Sequence, residues 1–139
     1  MAGNITLAMI KPKAVESGHV GAILHTICAA GFKIRGLKMM KFTKEQAEKF
    51  YEVHKGKDFY KPLIEFIISG PVVVACIEGP DAVQTFRELM GATDPKLAGA
   101  ETIRGRFGTS VLANAIHGSD SDESALREIE IVFDKHEIF

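Results

Sequence analysis

The chain of 139 residues carries a formal net charge of −1 at pH 7, and 46% of its residues are hydrophobic and 25% charged. This length and apolar content predict one domain, residues 1–139, with a buried hydrophobic core, and they exclude a disordered chain. A net charge near zero argues against general attachment to nucleic acid or to a membrane surface.

The apolar runs and the cysteines indicate where the protein works. The first apolar run, Ile5–Ile10, is shorter than a signal peptide requires, and nothing approaches the ~20 apolar residues of a membrane span. Cys28 and Cys76 lack metal-binding spacing and are predicted to be two buried thiols in a reducing compartment. We therefore expect a cytoplasmic protein.

The first third of the chain predicts a strand, a helix and a second strand. Ile5–Ile10 is a short apolar strand. Ser17 precedes a run with helical spacing of its apolar residues, and Gly31 suits the end of that helix. Residues 32–42 alternate as in a strand, but the alternation changes phase across Gly36, which predicts a β-bulge.

The middle of the chain predicts a helical hairpin followed by a buried strand. Thr43 is placed to cap a helix over Lys44–Phe50, and Pro62 suits the first turn of a second helix over residues 60–68. Residues 72–77 are apolar on both faces, as in a strand that is covered on both sides.

The last third predicts two helices separated by a long irregular stretch. Residues 81–90 form a helix that ends at Gly91, and residues 92–107 form a loop of a length that is usually functional. A final helix begins near Asp120, which has capping-box spacing with Glu123. Its inward stripe consists of Ala125, Ile129 and Val132. Strands that alternate with helices predict an α/β or α+β class.

One histidine has a setting that suits phosphate chemistry. His117 lies between a strand-like run and the first turn of the last helix, where free backbone N–H groups would favour an anion. Taken alone, a histidine in this position fits a structural role equally well.

Any phosphate site in this chain differs from a P-loop, because the sequence contains no GxxxxGK[ST] motif. Phosphate would have to be held by separate basic side chains, although each of these, taken alone, also fits an ordinary surface charge. The candidates are Lys11, Arg87 and Arg104. His54 follows Tyr51 by about one helical turn, so both side chains could project from one face.

Four segments together resemble the nucleoside diphosphate kinase family. They are NAIHGSDS at residues 114–121, TIRG at 102–105, Lys11-Pro12, and SGPVV at 69–73. The resemblance extends from about Ile5 to Phe133. It implies a ferredoxin-like α/β (α+β) sandwich, in which helices cover a four-stranded antiparallel sheet, with an inserted helical hairpin and a long loop.

The resemblance also implies a role for each site residue. His117 would be the nucleophile that takes a phosphoryl group on Nδ1, with Glu128 and Ser119 orienting the imidazole. The residues around the phosphates would be Lys11, Tyr51, His54, Arg87, Thr93 and Arg104. Phe59 would stack on the base with Val111 on its other side, and Asn114 would join Lys11 at the ribose hydroxyls.

The implied activity is that of a phosphotransferase. It moves the γ-phosphoryl group of a nucleoside triphosphate to a nucleoside diphosphate, reversibly and by a ping-pong route through phosphohistidine. Base specificity would be low, because every base offers a π-face for stacking. Mg²⁺ would arrive bound to the nucleotide phosphates. The resemblance further implies self-association, with a homohexamer as the first expectation and a homotetramer as the second.

The sequence departs from the family pattern at three places. Lys13 stands where an acid is common after Lys-Pro, and Arg106 stands where an acid is frequent after Arg-Gly. Ala100-Glu101 replaces the usual Pro-Gly. We expect an altered salt dependence from the added charge beside Lys11, and a less rigid long loop.

Two other functions fit parts of the sequence. A regulatory protein of similar fold that binds nucleotides without catalysis would need no nucleophile, so His117 argues against it. A nucleic-acid-binding role would use the nine of seventeen Lys and Arg residues that lie between Lys33 and Lys61, and the near-zero net charge argues against it.

Overall fold

Four strands form one antiparallel sheet in the order β2–β3–β1–β4. The computed structural model describes residues 3–139. The strands are β1 (Ile5–Ile10), β2 (Lys33–Met40), β3 (Val72–Glu78) and β4 (Ile116–Gly118). β1 and β3 occupy the centre, which explains why both are apolar along nearly their whole length.

Within residues 3–139, seven helices connect and cover the strands. They are α1 (Pro12–Glu16), α2 (Val20–Ala29), α3 (Lys44–Phe50), α4 (Tyr60–Ile67), α5 (Ala82–Met90), α6 (Ile103–Phe107) and α7 (Asp122–Val132). Two 3₁₀ turns lie at Glu52–His54 and Lys135–Glu137. Among residues 3–139, no helix is long and apolar enough to cross a membrane.

The sheet separates two hydrophobic cores. Along β1, Ala8 and Ile10 face a core that includes side chains of α2 and α5, whereas Leu7 and Met9 face a core built with α3, α4 and α7. This alternation follows from the two-residue period of a strand. The sheet with helices on both faces confirms the predicted ferredoxin-like α/β class.

Several local predictions are confirmed. The pairing of β2 with β3 shifts register between Ile34 and Gly36, at the predicted bulge. Thr43 caps α3 in a reciprocal capping box with Gln46. Gly31, just beyond α2, has a φ of 99°, a left-handed conformation that glycine adopts without a steric penalty.

Other local predictions are wrong. Cys28 is exposed rather than buried, because it lies on the outer face of α2. The last helix begins at Asp122, and its cap is Ser121, whose Oγ accepts a hydrogen bond from the Ser124 N–H at 3.0 Å.

Two further differences concern the last two predicted segments. The irregular stretch ends in the short helix α6, which is capped by Thr102. Ile129 is only partly buried, and Glu128 takes the inward position between Ala125 and Val132 instead.

Candidate functional site

A cleft of about 590 Å³ opens between the α3–α4 hairpin, the start of α7 and the long loop that follows α5. Eleven of the twelve site residues predicted from the sequence line it. They are Lys11, Tyr51, His54, Phe59, Arg87, Thr93, Arg104, Val111, Asn114, His117 and Glu128. The twelfth, Ser119, lies behind the cleft wall and reaches it through a hydrogen bond to Glu128.

His117 is held in the middle of the short edge strand β4. It pairs with Met9 of β1, so its backbone position is set by the centre of the sheet. The rings of Phe50 and Tyr51 contact the imidazole edge-on, with centroid distances of 5.1 and 5.8 Å. These contacts restrict rotation of the imidazole on the side that faces α3.

The imidazole is oriented by a buried carboxylate. The Nε2 atom of His117 lies 2.9 Å from Oε1 of Glu128, and the Ser119 hydroxyl donates to the same oxygen at 2.9 Å. An ionised carboxylate only accepts hydrogen bonds, so Nε2 carries the proton and donates it. Nδ1 is left with a free lone pair and no hydrogen-bond partner among the described residues.

Ser119 also ties this network to the sheet. Its Oγ accepts a hydrogen bond from the backbone N–H of Leu7 at 3.3 Å, on β1. The Glu128 carboxylate is thus connected to the central strand as well as to α7. The backbone before the histidine is strained, since Ala115 has a φ of 78°, and such strain at a buried alanine persists only where its surroundings impose it.

Lys11 enters the cleft from the end of β1. Its side chain is only 6% exposed, and its Nζ donates to Oδ1 of Asn114 at 2.8 Å. Asn114 in turn donates from Nδ2 to the carbonyl of Thr93 at 3.0 Å. Burial, followed by the nearby Arg104 guanidinium, lowers the pKa of Lys11 to about 7.

Arg104 lies at the floor of the cleft, where its guanidinium donates hydrogen bonds to two backbone carbonyls. Its Nη1 donates to the carbonyl of Gly91 at 3.1 Å and its Nη2 to that of Ile116 at 3.0 Å. Burial, followed by the charge of Arg87, lowers the pKa of Arg104 to about 10. Its Nε has no hydrogen-bond partner although it is buried. A buried donor without a partner marks a place where an acceptor is missing.

Two glycines allow the long loop to lie close against the end of α5. A Cβ on Gly91 would collide with the Thr102 side chain, and one on Gly105 would collide with the carbonyl oxygen of Gly99. Both glycines allow the loop to fold back onto the end of α5, which brings Arg104 into the cleft beside Arg87.

The hairpin supplies the aromatic side of the cleft. The rings of Tyr51 and His54 stack at a centroid distance of 6.1 Å, and His54 meets Phe59 edge-on at 5.1 Å. Burial, followed by the charge of Glu128, raises the pKa of Tyr51, whose hydroxyl is buried without a partner. Burial, followed by the charge of Lys57, lowers the pKa of His54.

The mouth of the cleft is apolar and open. Phe59 is 48% exposed, and Val111 and Leu112 are also exposed. An open apolar slot at the mouth and buried cations at the floor suit a ligand with a flat apolar end and an anionic end.

Several side chains that line the cleft were not predicted as site residues from the sequence. Phe50 was assigned only to the helix before Tyr51, and Asp120 only to a helix cap, yet both line the cleft. Leu112 and Arg127 also line it. The position of Arg127 beside Glu128 on α7 was the available signal, but a charged residue on a helix is usually solvated.

A metal site made of protein ligands is absent from the described residues. No group of three or more His, Cys, Asp and Glu side chains within residues 3–139 could hold an ion. The charges at the cleft floor are mainly cationic, from Lys11, Arg87 and Arg104. A floor of this charge suits an anionic ligand.

Comparison with known proteins finds relatives along nearly the whole chain. The family model described as nucleoside diphosphate kinase matches residues 4–138. The nucleoside diphosphate kinase of Campylobacter jejuni subsp. doylei is 53% identical over 134 residues, which cover 96% of this chain and 98% of that protein.

Two solved structures of the same family superpose closely. The enzyme from Aquifex aeolicus gives a TM-score of 0.96 at 46% identity, covering 98% of this chain and 99% of the other. A halophilic enzyme from Halobacterium salinarum, solved in complex with CDP, gives a TM-score of 0.93 at 39% identity, covering 99% and 91%.

Proposed function

The chain belongs to the nucleoside diphosphate kinase family, and on that premise we propose that His117 is the nucleophile of its phosphotransfer reaction. The γ-phosphoryl group of a nucleoside triphosphate passes first to His117 and then to a nucleoside diphosphate. One observation carries this assignment: Nε2 of His117 lies 2.9 Å from the Glu128 carboxylate in a cleft lined by cations, which leaves Nδ1 as the ring nitrogen that can act as nucleophile.

The first half-reaction follows from this geometry. The Nδ1 lone pair attacks the γ-phosphorus, a P–N bond forms, and the bond between the γ-phosphorus and the bridging oxygen breaks. The diphosphate leaves with the bonding electron pair. Nε2 keeps its proton, and the positive charge that the ring gains is offset by the Glu128 carboxylate 2.9 Å away.

The second half-reaction is the reverse of the first with a different nucleotide. A terminal oxygen of an acceptor diphosphate attacks the phosphorus on His117, the P–N bond breaks, and Nδ1 recovers its lone pair. The bonds made and broken are of the same kind in both directions, so exchange is reversible and nearly thermoneutral.

Cations at the floor of the cleft lower the barrier to transfer. The transition state is loose and spreads negative charge over the phosphoryl oxygens, so positioned positive charge is the main protein contribution. Arg87, Arg104 and Lys11 supply that charge. The unpartnered Arg104 Nε and Tyr51 hydroxyl support this proposal, because phosphate oxygens would provide the acceptors that both lack.

The shape of the cleft guides our assignment of binding positions for the base, the ribose and the α-phosphate. We assign the base to the slot between Phe59 and Val111, the ribose hydroxyls to Lys11 and Asn114, and the α-phosphate to His54, with Thr93 close to the phosphates. The CDP complex of the Halobacterium enzyme supports nucleotide binding in this fold. Stacking accepts any base, so a loss of affinity confined to one base in Phe59→Ala would contradict the assignment.

We propose that Mg²⁺ enters the cleft bound to the nucleotide. The described residues fit an ion that is held by phosphate oxygens and water, since Asp120 is the carboxylate that lines the cleft besides the engaged Glu128. When bound, the ion neutralises phosphate charge. Removal of Mg²⁺ by a chelator should abolish exchange, and full activity without divalent cations would contradict this role.

We propose that the whole chain works as one domain, that copies associate into a homohexamer or a homotetramer, and that the enzyme acts in the cytoplasm. Exposed apolar side chains on the sheet edge support association, and the free thiols Cys28 and Cys76 suit a reducing compartment.

The role of His117 is tested by replacing the nucleophile alone. His117→Ala should abolish phosphoryl exchange while nucleotide still binds, because the cations and the base slot remain. Steady-state exchange and equilibrium binding of a diphosphate are measured on the same preparation. Substantial residual turnover in the variant would contradict the assignment.

A further inference from the structure

Arg127 connects the two elements that hold the His117 ring, and the proposed reaction gives it no role. It lies on α7 beside Glu128, with its side chain partly buried at 29% exposure. We propose that Arg127 is a positioning residue that fixes the Glu128 carboxylate and the C-terminal end of α3 around the imidazole. This inference rests on the proposed function of His117 as the nucleophile.

The first set of contacts is with the end of α3. Nη1 of Arg127 donates to the backbone carbonyl of Lys49 at 3.2 Å and to that of Phe50 at 3.5 Å. The last carbonyls of a helix lack intrahelical partners and carry partial negative charge, so a cation is favourable there. Arg127 therefore caps α3 from a different helix.

This cap bears directly on the active-site ring. The Phe50 ring, which belongs to the last residue of α3, contacts His117 at a centroid distance of 5.1 Å, and Tyr51 follows at 5.8 Å. If the end of α3 moves, the wall that limits rotation of the imidazole moves with it.

The second contact is with the carboxylate. Oε1 of Glu128 already receives hydrogen bonds from His117 and Ser119, whereas Oε2 faces Nη2 of Arg127 at 3.9 Å. Glu128 is only 4% exposed, and Arg127 is the permanently charged partner within 4.0 Å of it among the described residues. A buried carboxylate depends strongly on such a partner.

The Arg127 guanidinium thus contacts both groups that restrain the His117 ring, the Glu128 carboxylate and the C-terminal end of α3. With Oε2 held towards Arg127, the carboxylate plane keeps Oε1 on Nε2, and Nδ1 keeps its direction into the cleft. Displacement of a reacting atom by about 1 Å costs on the order of 100-fold in rate. Arg127 acts before nucleotide arrives, so its loss should affect the transfer step more than nucleotide affinity.

The test combines kinetics with a direct view of the imidazole. Arg127→Met should lower kcat about tenfold and leave KM within about twofold. Arg127→Lys should recover part of kcat, because it restores the charge without the planar fork. In ¹⁵N spectra, His117 should be held as the Nε2–H tautomer in the unaltered enzyme and lose that preference in Arg127→Met.

A double-mutant cycle shows whether the effect passes through the carboxylate. In a Glu128→Gln background, Arg127→Met should cost clearly less in kcat than in the unaltered enzyme, because the two side chains act together. Equal losses in both backgrounds would overturn the proposal.

Thr43→Ala is the matched control, since Thr43 caps the opposite end of α3 and does not line the cleft. It should lower Tm and leave kcat and the His117 spectrum unchanged. The proposal is overturned if Thr43→Ala lowers kcat as much as Arg127→Met, or if Arg127→Met keeps normal kcat and spectrum. Should Arg127→Met fail to fold, Arg127→Lys and its spectrum decide in the same way. Failure of the nucleophile assignment is distinguishable, because only then would His117→Ala retain exchange.

Discussion

Lys11 is a buried cation whose hydrogen-bond partner is a neutral amide. Its ammonium donates to Asn114, and the charge of Arg104 lies nearby, so the free enzyme stabilises the charged form poorly. The pKa of about 7 places the change of charge near neutral pH. We expect phosphates bound beside Lys11 to favour its charged form, so nucleotide binding above neutral pH should be accompanied by proton uptake at Lys11.

Because the pKa of Lys11 in the free enzyme is lowered to about 7, the fraction of enzyme with charged Lys11 falls as pH rises through that value. We expect kcat/KM for nucleotide to fall over the same interval, measured at constant ionic strength.

Lys11→Met should lose about 100-fold in kcat/KM, the cost of one missing transition-state donor, and should lack the decline with pH. Lys13→Met, an exposed neighbour, should keep it. A decline of equal size in Lys11→Met would assign the titration to another group.

Some residues of this site could be predicted from the sequence, and others could not. Without the resemblance, His117 and the basic residues were open alternatives, because spacing along a chain does not say which side chains meet. Glu128 received its role only through the resemblance, since its burial follows from the packing of α7 against β1, which places the carboxylate behind His117. Arg127 was missed for the same reason.

Gly118 shows how helix packing fixes the strand that carries His117. It is the last residue of β4, and α5 packs directly against it. A Cβ at this position would lie 2.7 Å from Cε of Met90 and 2.8 Å from Cδ2 of Phe86. Only a residue without a side chain allows α5 to approach β4 this closely.

Gly118→Ala is therefore expected to strain both elements. We predict a loss of about 1–3 kcal/mol in the free energy of unfolding, the usual cost of overpacking, together with a lower kcat because His117 is adjacent. Gly21→Ala is the matched control in α2, where an added Cβ meets nothing within 4 Å, and it should be neutral or slightly stabilising. Denaturant unfolding measures both, and an unchanged stability in Gly118→Ala would refute the packing argument.

At the level of elements, local signals predicted the structure where local chemistry decides it. The Thr43 cap and the Gly36 bulge depend on nearby residues, and both were predicted. The helix α6 and the Ser121 cap were not, since α6 has only five residues and its place depends on the loop folding against Gly91. The antiparallel order of the sheet depends on distant pairing, and only the resemblance supplied it.

The whole molecule exposes apolar side chains along one edge of its sheet. β2 is an edge strand, and Leu37 and Met39 on it are 47% and 59% exposed. An exposed apolar edge strand is a surface that proteins usually cover. This supports the proposed self-association.

Assembly can be tested through the same edge. We expect the purified chain to sediment as a multi-subunit species, and Met39→Glu to raise the dissociation constant of that species, because a charge would have to be buried at the contact. A chain that sediments as a monomer at every concentration tested would contradict the proposed assembly.

The cleft as a whole unites three distant parts of the chain: the end of β1, the α3–α4 hairpin, and the segment from α5 to α7. In the proposed reaction, Glu128 engages Nε2 of His117 and leaves Nδ1 to accept the phosphoryl group. The most direct test incubates the protein with γ-labelled ATP, removes the nucleotide and then adds an unlabelled diphosphate. We predict an acid-labile label on the protein that moves into the new triphosphate and is absent from His117→Ala. Protein that exchanges phosphate but never carries the label would contradict the covalent route.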